Sequence, residues 1–384
     1  MVGNYRRRMT ALPRTTTVLD DGIRDGLHLG AQVYVWHAGE TVADFAVGEA
    51  RRGVPMTTDS LITWFSMTKP SVAVSVAQQW ERGLLSPEDP VVRYVPEFAA
   101  HGKERITLRH LLTHTAGIRA GDQVTSDAEG TAHWDEIVAG ICAVEREEGW
   151  EPGERAGYHL TCGMTMLAEI VRRVDGRRFE QYVREEVFLP LGMDDCWVGM
   201  PADDHAAYGE RIGTMHNTQG DEPTPLEALD AAELMARCVP GGGGRGPMRQ
   251  LARLYRALLN GGELDGVRIL SPQTVAAISA RHRTGLFDET FRCECDWGLG
   301  FAVDNFAMGR HASRRAFGHG GALSSYAFAD PEHELVVAAQ TNGMCASDAH
   351  YQRLDDVMTA LYLDLRIVPE DAKGRDKPMP SVQL

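Results

Sequence analysis

The sequence contains the stretch Trp64-Phe65-Ser66-Met67-Thr68-Lys69-Pro70, in which an apolar, strand-like run passes into a helical pattern. Ser66 and Lys69 are three residues apart, so in the first turn of a helix their side chains share one face. A serine hydroxyl is a weak nucleophile until a neighbouring base takes its proton, and neutral lysine is such a base in Ser-Lys variants of the catalytic triad. The spacing predicts a nucleophile and its base. The alternative is a serine at a helix start followed by a surface lysine.

A lysine base must be deprotonated near neutral pH. Free lysine has a pKa of ~10.4, about 3.4 units above pH 7, which corresponds to ~4.6 kcal/mol at ~1.36 kcal/mol per unit. Burial or a neighbouring cation can remove this cost, and arginine could not serve instead. The 39 basic residues include only four lysines, and Lys69 alone has a serine three positions before it.

Composition limits the class of protein. With 384 residues, 43% of them hydrophobic, the chain can bury one large core or two interleaved ones. A formal charge of -15 argues against nucleic acid and anionic membranes as partners and suits neutral or cationic small molecules. Arg6, Arg7 and Arg8 precede no apolar signal segment, and no apolar run reaches transmembrane length. We therefore expect a cytoplasmic protein.

Cysteines and closely spaced histidines are the candidates for metal ligands. The seven cysteines are odd in number and scattered, which fits reduced thiols. Cys293 and Cys295 form a close pair without further ligands at zinc-site spacing. His110 and His114 lack the glutamate of an H-E-x-x-H motif, so core or capping roles are expected. The sequence predicts neither a metal nor another cofactor.

Periodicity predicts strands at both ends of the chain and helices between them. Residues 30–37 and 42–48 read as a hairpin around Gly39-Glu40. The last third returns to a strand pattern and ends in a helix over residues 347–363. This order predicts an α+β fold, an α/β sandwich whose central antiparallel sheet is flanked by helices and interrupted by a mainly helical insertion, with the cleft between them. The predicted divisions are a polar arm (1–17), the sheet domain (18–65 and 262–365), the helical domain (66–261) and a tail (366–384).

Three local features inside the insertion bear on function. Tyr158 is placed on a loop just before a helix predicted over 161–174. The glycines of residues 241–244 are not followed by the Gly-Lys-Ser/Thr of a phosphate loop, so close backbone packing explains them better. Residues 201–228 are polar and read as a surface excursion that could cover the cleft.

These residues resemble the serine β-lactamase-like family, in the branch that holds class C β-lactamases, D-aminopeptidases, family VIII carboxylesterases and the transacylases of secondary metabolism. The resemblance extends from about residue 30 to 363. It is carried by these motifs: Ser66–Lys69, Thr107–Gly117, Glu151–Glu154, Pro190–Met193, Gly241–Gly243, Gly298–Gly300 and Gly318–Gly321.

The resemblance implies a role for each matching residue. Ser66 would be acylated and Lys69 would accept its proton. Tyr158 would give a proton to the leaving group and activate the acceptor. The backbone N–H groups of Ser66 and Ala322 would form the oxyanion hole.

The chain departs from the penicillin-recognising pattern at two places. Leu160 stands where β-lactamases carry the asparagine of Tyr-x-Asn. His319-Gly320-Gly321 stands where they carry Lys-Thr-Gly. His319, Gly320, Gly321 and Leu160 are therefore expected to contact a substrate without the lysine that binds a β-lactam carboxylate.

The leading hypothesis is a serine acyltransferase that takes an acyl group from an ester or thioester and passes it to a small-molecule amine or alcohol, or to water. By analogy, transacylases of capuramycin-type antibiotic pathways use this scaffold. The alternatives are a family VIII-type carboxylesterase, a D-aminopeptidase and a non-catalytic protein that binds a ligand in the same cleft. The sequence leaves the donor, the acceptor and the oligomeric state open.

Overall fold

The computed structural model describes residues 12–127 and 133–380. Its strands are, in chain order, β1 (Gly30–His37), β2 (Glu40–Arg51), β3 (Val54–Pro55), β4 (Ile62–Thr63), β5 (Trp197–Val198), β6 (His216–Asn217), β7 (Thr224–Pro225), β8 (Gly244–Gly246), β9 (Glu263–Leu264), β10 (Val267–Arg268), β11 (Phe287–Asp288), β12 (Cys293–Glu294), β13 (Asp296–Trp297), β14 (Ala302–Val303), β15 (Phe317–Gly321), β16 (Ser325–Asp330), β17 (Leu335–Thr341) and β18 (Gly343–Met344).

The helices are likewise numbered in chain order. They are α1 (Pro13–Arg24), α2 (Lys69–Glu81), α3 (Leu108–Leu112), α4 (Gly121–Asp127), α5 (Trp134–Ala143), α6 (Cys162–Asp175), α7 (Phe179–Val183), α8 (Ala202–Tyr208), α9 (Ala232–Met235), α10 (Met248–Leu259), α11 (Pro272–Ser279) and α12 (Ser347–Asp364). A 3₁₀ turn, Phe65–Thr68, leads into α2, and a π-helical turn, Arg184–Phe188, continues α7.

The largest sheet of the described residues has eight strands in the order β13-β14-β15-β16-β17-β1-β2-β3. All of its pairings are antiparallel, with β1 between β2 and β17. The predicted hairpin and the predicted α+β class are both confirmed. The two ends of the chain build one sheet, as the strand patterns indicated.

Both faces of this sheet are covered, which explains why β1 is apolar along most of its length. Val33 and Val35 pack with α1 and α12 on one face, whereas Tyr34 packs with α10 on the other. Successive side chains of a strand point to opposite faces, so a strand covered on both sides needs apolar residues at every position. Helix α10 packs against β1, β16 and β17. It therefore belongs to the sheet domain, although the sequence analysis placed these residues in the helical domain (66–261).

Helix α2 lies in the core of the helical part. Its residues from Lys69 to Gln79 are all buried, and it packs against α6. A helix that is enclosed on all sides loses the polar face of a surface helix. The apolar run that precedes Ser66 is only partly a strand, because β4 covers two residues and pairs with β8.

The predicted extent of the N-terminal arm is wrong. The polar arm was expected to reach residue 17, but Pro13–Thr17 lies in α1, while residues 1–11 fall outside the described part. The excursion over 201–228 was predicted to be a surface segment that could cover the cleft. Most of its residues are exposed or half-buried. Its strand β6 pairs with β7 and β18, and no residue of 201–228 lines the cavity beside Ser66.

Among the described residues, none of the helices has the length and apolar character that a membrane span requires.

Candidate active site

Ser66 lies in the 3₁₀ turn before α2, directly after Phe65, whose φ of 50° is in the left-handed region. A bulky residue adopts this conformation only where its surroundings hold it there. Thr68 supplies part of that hold, because its hydroxyl donates to the Phe65 carbonyl (2.6 Å) and accepts from Gly244 N–H (2.8 Å). The turn is thereby tied to β8.

Lys69 Nζ is completely buried and contacts three oxygens. It lies 2.8 Å from Ser66 Oγ and 2.7 Å from each of the carbonyl oxygens of Leu160 and Gly241. A neutral amine has two N–H donors and one lone pair. If the two carbonyls accept the two N–H groups, the lone pair faces the Ser66 hydroxyl. The arrangement therefore suits a proton acceptor.

Burial sets the charge state of Lys69. Removal from water lowers the pKa of this amine from 10.5 to about 7, while Asp122 and Cys162 oppose the shift. A base is most effective when its pKa lies near the working pH. The spacing of Ser66 and Lys69 predicted this pair, and the structure brings the two side chains together.

Tyr158 lies against the same lysine, with Nζ 4.9 Å from the centre of its ring. Its backbone is held on both sides, since its N–H donates to Asp288 Oδ1 (3.1 Å) and its carbonyl accepts from Thr290 Oγ1 (3.0 Å). Burial raises the pKa of Tyr158 far above its ordinary value, and a hydrogen bond with Ser66 opposes that rise. The phenol is therefore protonated and can donate a proton.

Asp288 is a site residue that the sequence analysis missed. It is fully buried, pairs with Arg283 at 3.0 Å, and also accepts the N–H groups of Thr290 and Phe291. Removing one partner of such a buried pair leaves the other charge uncompensated. No motif marks either residue, because Asp288 acts by holding the backbone of Tyr158.

Asp122 was missed as well. Its carboxylate accepts the N–H groups of Leu160, Thr161 and Cys162 at 2.8, 2.8 and 2.9 Å. Burial acts to raise the pKa of Asp122, but the His159 imidazole and these three donors lower it by more. The net pKa lies below its ordinary value, so the carboxylate stays ionised. A carboxylate suits the N-terminus of a helix such as α6. Asp122 thus fixes the loop whose Leu160 carbonyl contacts Lys69.

The two residues predicted to form the oxyanion hole, Ser66 and Ala322, lie where β15 meets the Ser66 turn. Met67 is the first residue of the turn whose backbone N–H donates to a carbonyl within it, that of Trp64 (3.2 Å). The N–H of Ser66 comes one residue earlier, among the N-terminal N–H groups that have no partner inside a helix. A Cβ on Gly321 would lie 2.3 Å from the Trp64 carbonyl oxygen. Only glycine lets the strand come this close and places Ala322 beside Ser66 in the wall of one cavity.

The glycine run of 241–244 is explained by close packing, as predicted. A Cβ on Gly241 would lie 2.7 Å from Thr161 Cα, and one on Gly244 would lie 2.5 Å from Thr68 Oγ1. The run brings a carbonyl to Lys69 and a backbone N–H to Thr68.

His319 occupies the place of the third-motif lysine and is uncharged. Burial and the nearby Lys69 lower the pKa of His319 to about 3. Its Nδ1 donates to the Gly320 carbonyl (2.8 Å), which fixes the tautomer. Gly320 lines the same cavity, and Leu160 is 46% exposed at its mouth. The four predicted substrate contacts therefore lie around one space.

The predicted capping and core roles of His110 and His114 are confirmed. His110 Nδ1 accepts from Thr107 N–H (3.1 Å) in a capping box, and buried His114 Nδ1 accepts from His159 N–H (3.1 Å). The seven cysteines are free thiols, with 3.5 Å between the sulfurs of Cys293 and Cys295. No cluster of metal-ligating side chains occurs in residues 12–127 and 133–380.

A cavity of about 120 Å³ opens beside Ser66. Its wall is mainly aromatic and aliphatic and includes Tyr158, Phe291, Trp297, Phe306, Tyr326, Tyr351 and Leu354. Lys69 is absent from this wall, so a ligand in the cavity meets the serine and the tyrosine and leaves the base behind them.

The family model for β-lactamases matches residues 17–357. The chain belongs to the β-lactamase family. Among members of this family it is similar to the esterase/β-lactamase LipL of Mycobacterium tuberculosis, with 29% identity over 82% of this chain and 77% of LipL. It is also similar to esterase EstB of Burkholderia gladioli, with 28% identity over 86% of this chain and 90% of EstB.

A solved family VIII carboxylesterase superposes on this member of the family with a TM-score of 0.79 and 29% identity, covering 92% of this chain and 97% of the other. These likenesses identify the protein as a serine hydrolase of the β-lactamase family with its transpeptidase-like α+β fold.

Proposed function

We propose that the protein transfers the acyl group of a small carboxylic ester by way of an acyl-enzyme on Ser66. The observation that carries this proposal is the contact of 2.8 Å between Ser66 Oγ and Lys69 Nζ, whose two other contacts are carbonyl oxygens. The lysine can therefore accept only from the serine. The similarity to LipL, EstB and a family VIII carboxylesterase supports an ester as the acyl donor.

In the acylation step, Lys69 takes the Ser66 proton while Ser66 Oγ bonds to the ester carbonyl carbon. Ser66 and Ala322 N–H groups would stabilise the oxyanion. The bond from carbon to the leaving oxygen then breaks, and the leaving alcohol takes a proton from Tyr158. The proton held by Lys69 restores the phenol. Deacylation reverses these transfers, with the acceptor losing its proton and Ser66 regaining one.

The acceptor is water or a small alcohol or amine, and Leu160 favours the second group. Its apolar side chain is exposed at the cavity mouth, beside Tyr158, where an acceptor has to approach. Water at ~55 M outnumbers a millimolar acceptor by roughly 10⁴–10⁵, about 5.5–7 kcal/mol, so transfer needs a site that binds the acceptor and misaligns water. The apolar side chain of Leu160 at the cavity mouth would bind an acceptor that has an apolar body, and it offers water no hydrogen bond that would align it.

Penicillins and D-amino-acid peptides fit the site less well. Each carries a charge that a cationic or polar group would have to bind, and the neutral His319 supplies no cation. A purely ligand-binding protein would gain nothing from burying a lysine beside a serine, because removing an ionisable amine from water costs free energy. A place in antibiotic assembly and a cytoplasmic location stay predictions.

The test of acylation is intact-protein mass spectrometry after mixing with p-nitrophenyl butyrate. The protein is expected to gain one butyryl group on Ser66, and Ser66→Ala is expected to gain none while keeping its fold, since a helix-start hydroxyl is worth at most ~1–2 kcal/mol. An adduct on Ser66→Ala would overturn the assignment.

The test of the acceptor is the product ratio in the presence of 1-butanol or benzylamine. We expect ester or amide product beside butyrate, and a larger share of butyrate in Leu160→Asn, whose backbone still offers its carbonyl to Lys69. Identical product shares in both proteins, with butyrate alone in each, would make the protein a plain esterase.

A further inference from the structure

His114 makes hydrogen bonds to the chain on both sides of Tyr158. Its backbone carbonyl accepts the N–H of Gly157 (3.0 Å), and its Nδ1 accepts the N–H of His159 (3.1 Å). Gly157 and His159 are the two neighbours of Tyr158 in the sequence. One residue just after α3 therefore holds the loop that carries the tyrosine, and its side chain supplies one of the two bonds.

The imidazole of His114 also packs against the ring of Tyr158, with 4.5 Å between the ring centres. It contacts the indole of Trp297 as well, at 4.6 Å, and it is completely buried. The ring of Phe291 contacts the same tyrosine at 4.6 Å. Because protein interiors are close-packed, these neighbours restrict the rotation of the phenol, whose hydroxyl forms the hydrogen bond with Ser66.

The backbone of His114 lies in the left-handed region, with a φ of 57°. Glycine adopts this conformation without strain, whereas other residues keep it only where their surroundings hold them there. Such strained residues are concentrated at functional sites. A histidine at a position that suits glycine indicates that its side chain is required.

Only the neutral form of His114 supports this arrangement. Nδ1 can accept from His159 only if it carries no proton, so the proton of the imidazole is on Nε2. Burial, followed by the neighbouring His159, holds the pKa of His114 well below its ordinary value. The hydrogen bond is therefore kept throughout the pH range in which Lys69 is neutral.

We propose that His114 is a positioning residue for Tyr158: its Nδ1 and its ring keep the phenol at Ser66, where it protonates the leaving group. This rests on the proposed function, in which Tyr158 gives its proton to the leaving alcohol. His114 is absent from the wall of the cavity beside Ser66, so it acts only through the tyrosine. A displacement of the phenol by about 1 Å can slow such a proton transfer by roughly 10²-fold.

The experiment compares p-nitrophenyl butyrate with ethyl butyrate. Both deliver the same acyl group to Ser66, so effects on acyl binding cancel in the ratio of their kcat/KM values, p-nitrophenyl over ethyl. The p-nitrophenolate ion leaves readily without a proton, whereas ethoxide does not, so ethyl butyrate depends far more on a general acid. Loss of positioning at Tyr158 therefore raises this ester ratio.

Two variants of His114 separate its contacts. His114→Leu removes both the acceptor for the His159 N–H and the aromatic ring, and it is expected to raise the ester ratio by about 10–100-fold with little change in the KM for ethyl butyrate. His114→Asn removes the ring but places an amide oxygen near the position of Nδ1, and asparagine tolerates a positive φ. It is expected to raise the ratio by only about threefold.

Tyr158→Phe shows whether His114 acts through the tyrosine. It should raise the ester ratio at least as much as His114→Leu, and the double variant should have the ratio of Tyr158→Phe alone, because both residues affect one proton transfer. His216→Leu is the matched control, since His216 is a buried histidine in β6 that lies outside the cavity wall. Its ester ratio should equal that of the unaltered protein even where its Tm falls.

The outcomes separate this inference from the proposed function. If Tyr158→Phe leaves the ester ratio unchanged while Ser66 is still acylated, the proposed role of Tyr158 falls and this inference falls with it. If Tyr158→Phe raises the ratio but His114→Leu lowers both kcat/KM values equally, only this inference is overturned. If His114→Leu does not fold, an unchanged ratio in His114→Asn overturns the inference instead. Equal ratios in His114→Leu and His114→Asn would refute the role of Nδ1.

Discussion

The pH dependence of acylation tests the role of Lys69 most directly. Burial lowers the pKa of Lys69 to about 7, and only the neutral amine can take the Ser66 proton. The acylation rate should therefore follow the neutral fraction, which is roughly 9% at pH 6, 50% at pH 7 and 91% at pH 8 for a single titration. We expect an increase of about tenfold from pH 6 to pH 8 and a plateau above it.

The ionisable groups near Ser66 other than Lys69 do not change their charge between pH 6 and 8. Burial lowers the pKa of His319 to about 3 and that of His159 to about 4, and it holds the pKa of His114 well below its ordinary value. These imidazoles stay neutral between pH 6 and 8. Burial raises the pKa of Tyr158 beyond this range. A single inflection near pH 7 would accordingly belong to Lys69.

The assay is rapid-quench mass spectrometry of the butyryl-enzyme at each pH, which is independent of the colour of nitrophenol. Circular dichroism at each pH checks that the protein stays folded. Lys69→Arg should show neither the rise nor appreciable acylation, because a guanidinium keeps the charge and cannot accept a proton. An inflection above pH 9, or an unchanged profile in Lys69→Arg, would refute the assignment of a neutral lysine base.

Three further results are expected. Tyr158→Phe should lower kcat by roughly 10²–10⁴ with little change in KM; a change confined to KM would make Tyr158 a binding residue. The pKa of Lys69 is 10.5 in the unfolded chain and about 7 in the folded protein. The free energy of unfolding of Lys69→Met minus that of the unaltered protein, measured by urea titration, should therefore increase by ~1.4 kcal/mol per pH unit as pH falls from 10 to 7, and then level off. A difference that does not change with pH would contradict the lowered pKa. His319→Lys should raise the kcat/KM for nitrocefin by about tenfold, because it restores a cation for the β-lactam carboxylate. An unchanged kcat/KM would show that a missing positive charge at this position does not limit the reaction.

The sequence predicted those parts of the site that depend on local spacing. Ser66 and Lys69 share one turn of a helix, so three-residue spacing is enough to bring them together. Tyr158 and Ala322 were placed by resemblance, and the structure sets both in the wall of the cavity beside Ser66. The strand patterns predicted the hairpin of β1 and β2, because alternation along a strand has the same period as its pleat.

The residues that support the site could not be found in this way. Asp122 contacts a loop that begins 38 residues later, and Asp288 contacts Tyr158 across 130 residues of sequence. Such contacts leave no periodic signal, and a buried carboxylate reads as a surface residue until its partners are known. The excursion over 201–228 is largely at the surface, as its polarity predicted, but polarity does not indicate which part of the surface a segment covers.

The pairing of β1 with β17 has a consequence for biosynthesis. Ala31 lies opposite Thr341, so the strand that completes the sheet leaves the ribosome 310 residues after its partner. At ~5–20 residues per second, the β1–β2 hairpin waits roughly 15–60 s with one edge open. An open, apolar edge strand invites pairing with other chains. Chaperone supply and translation rate, more than the stability of the finished sheet, should therefore govern the yield of active protein.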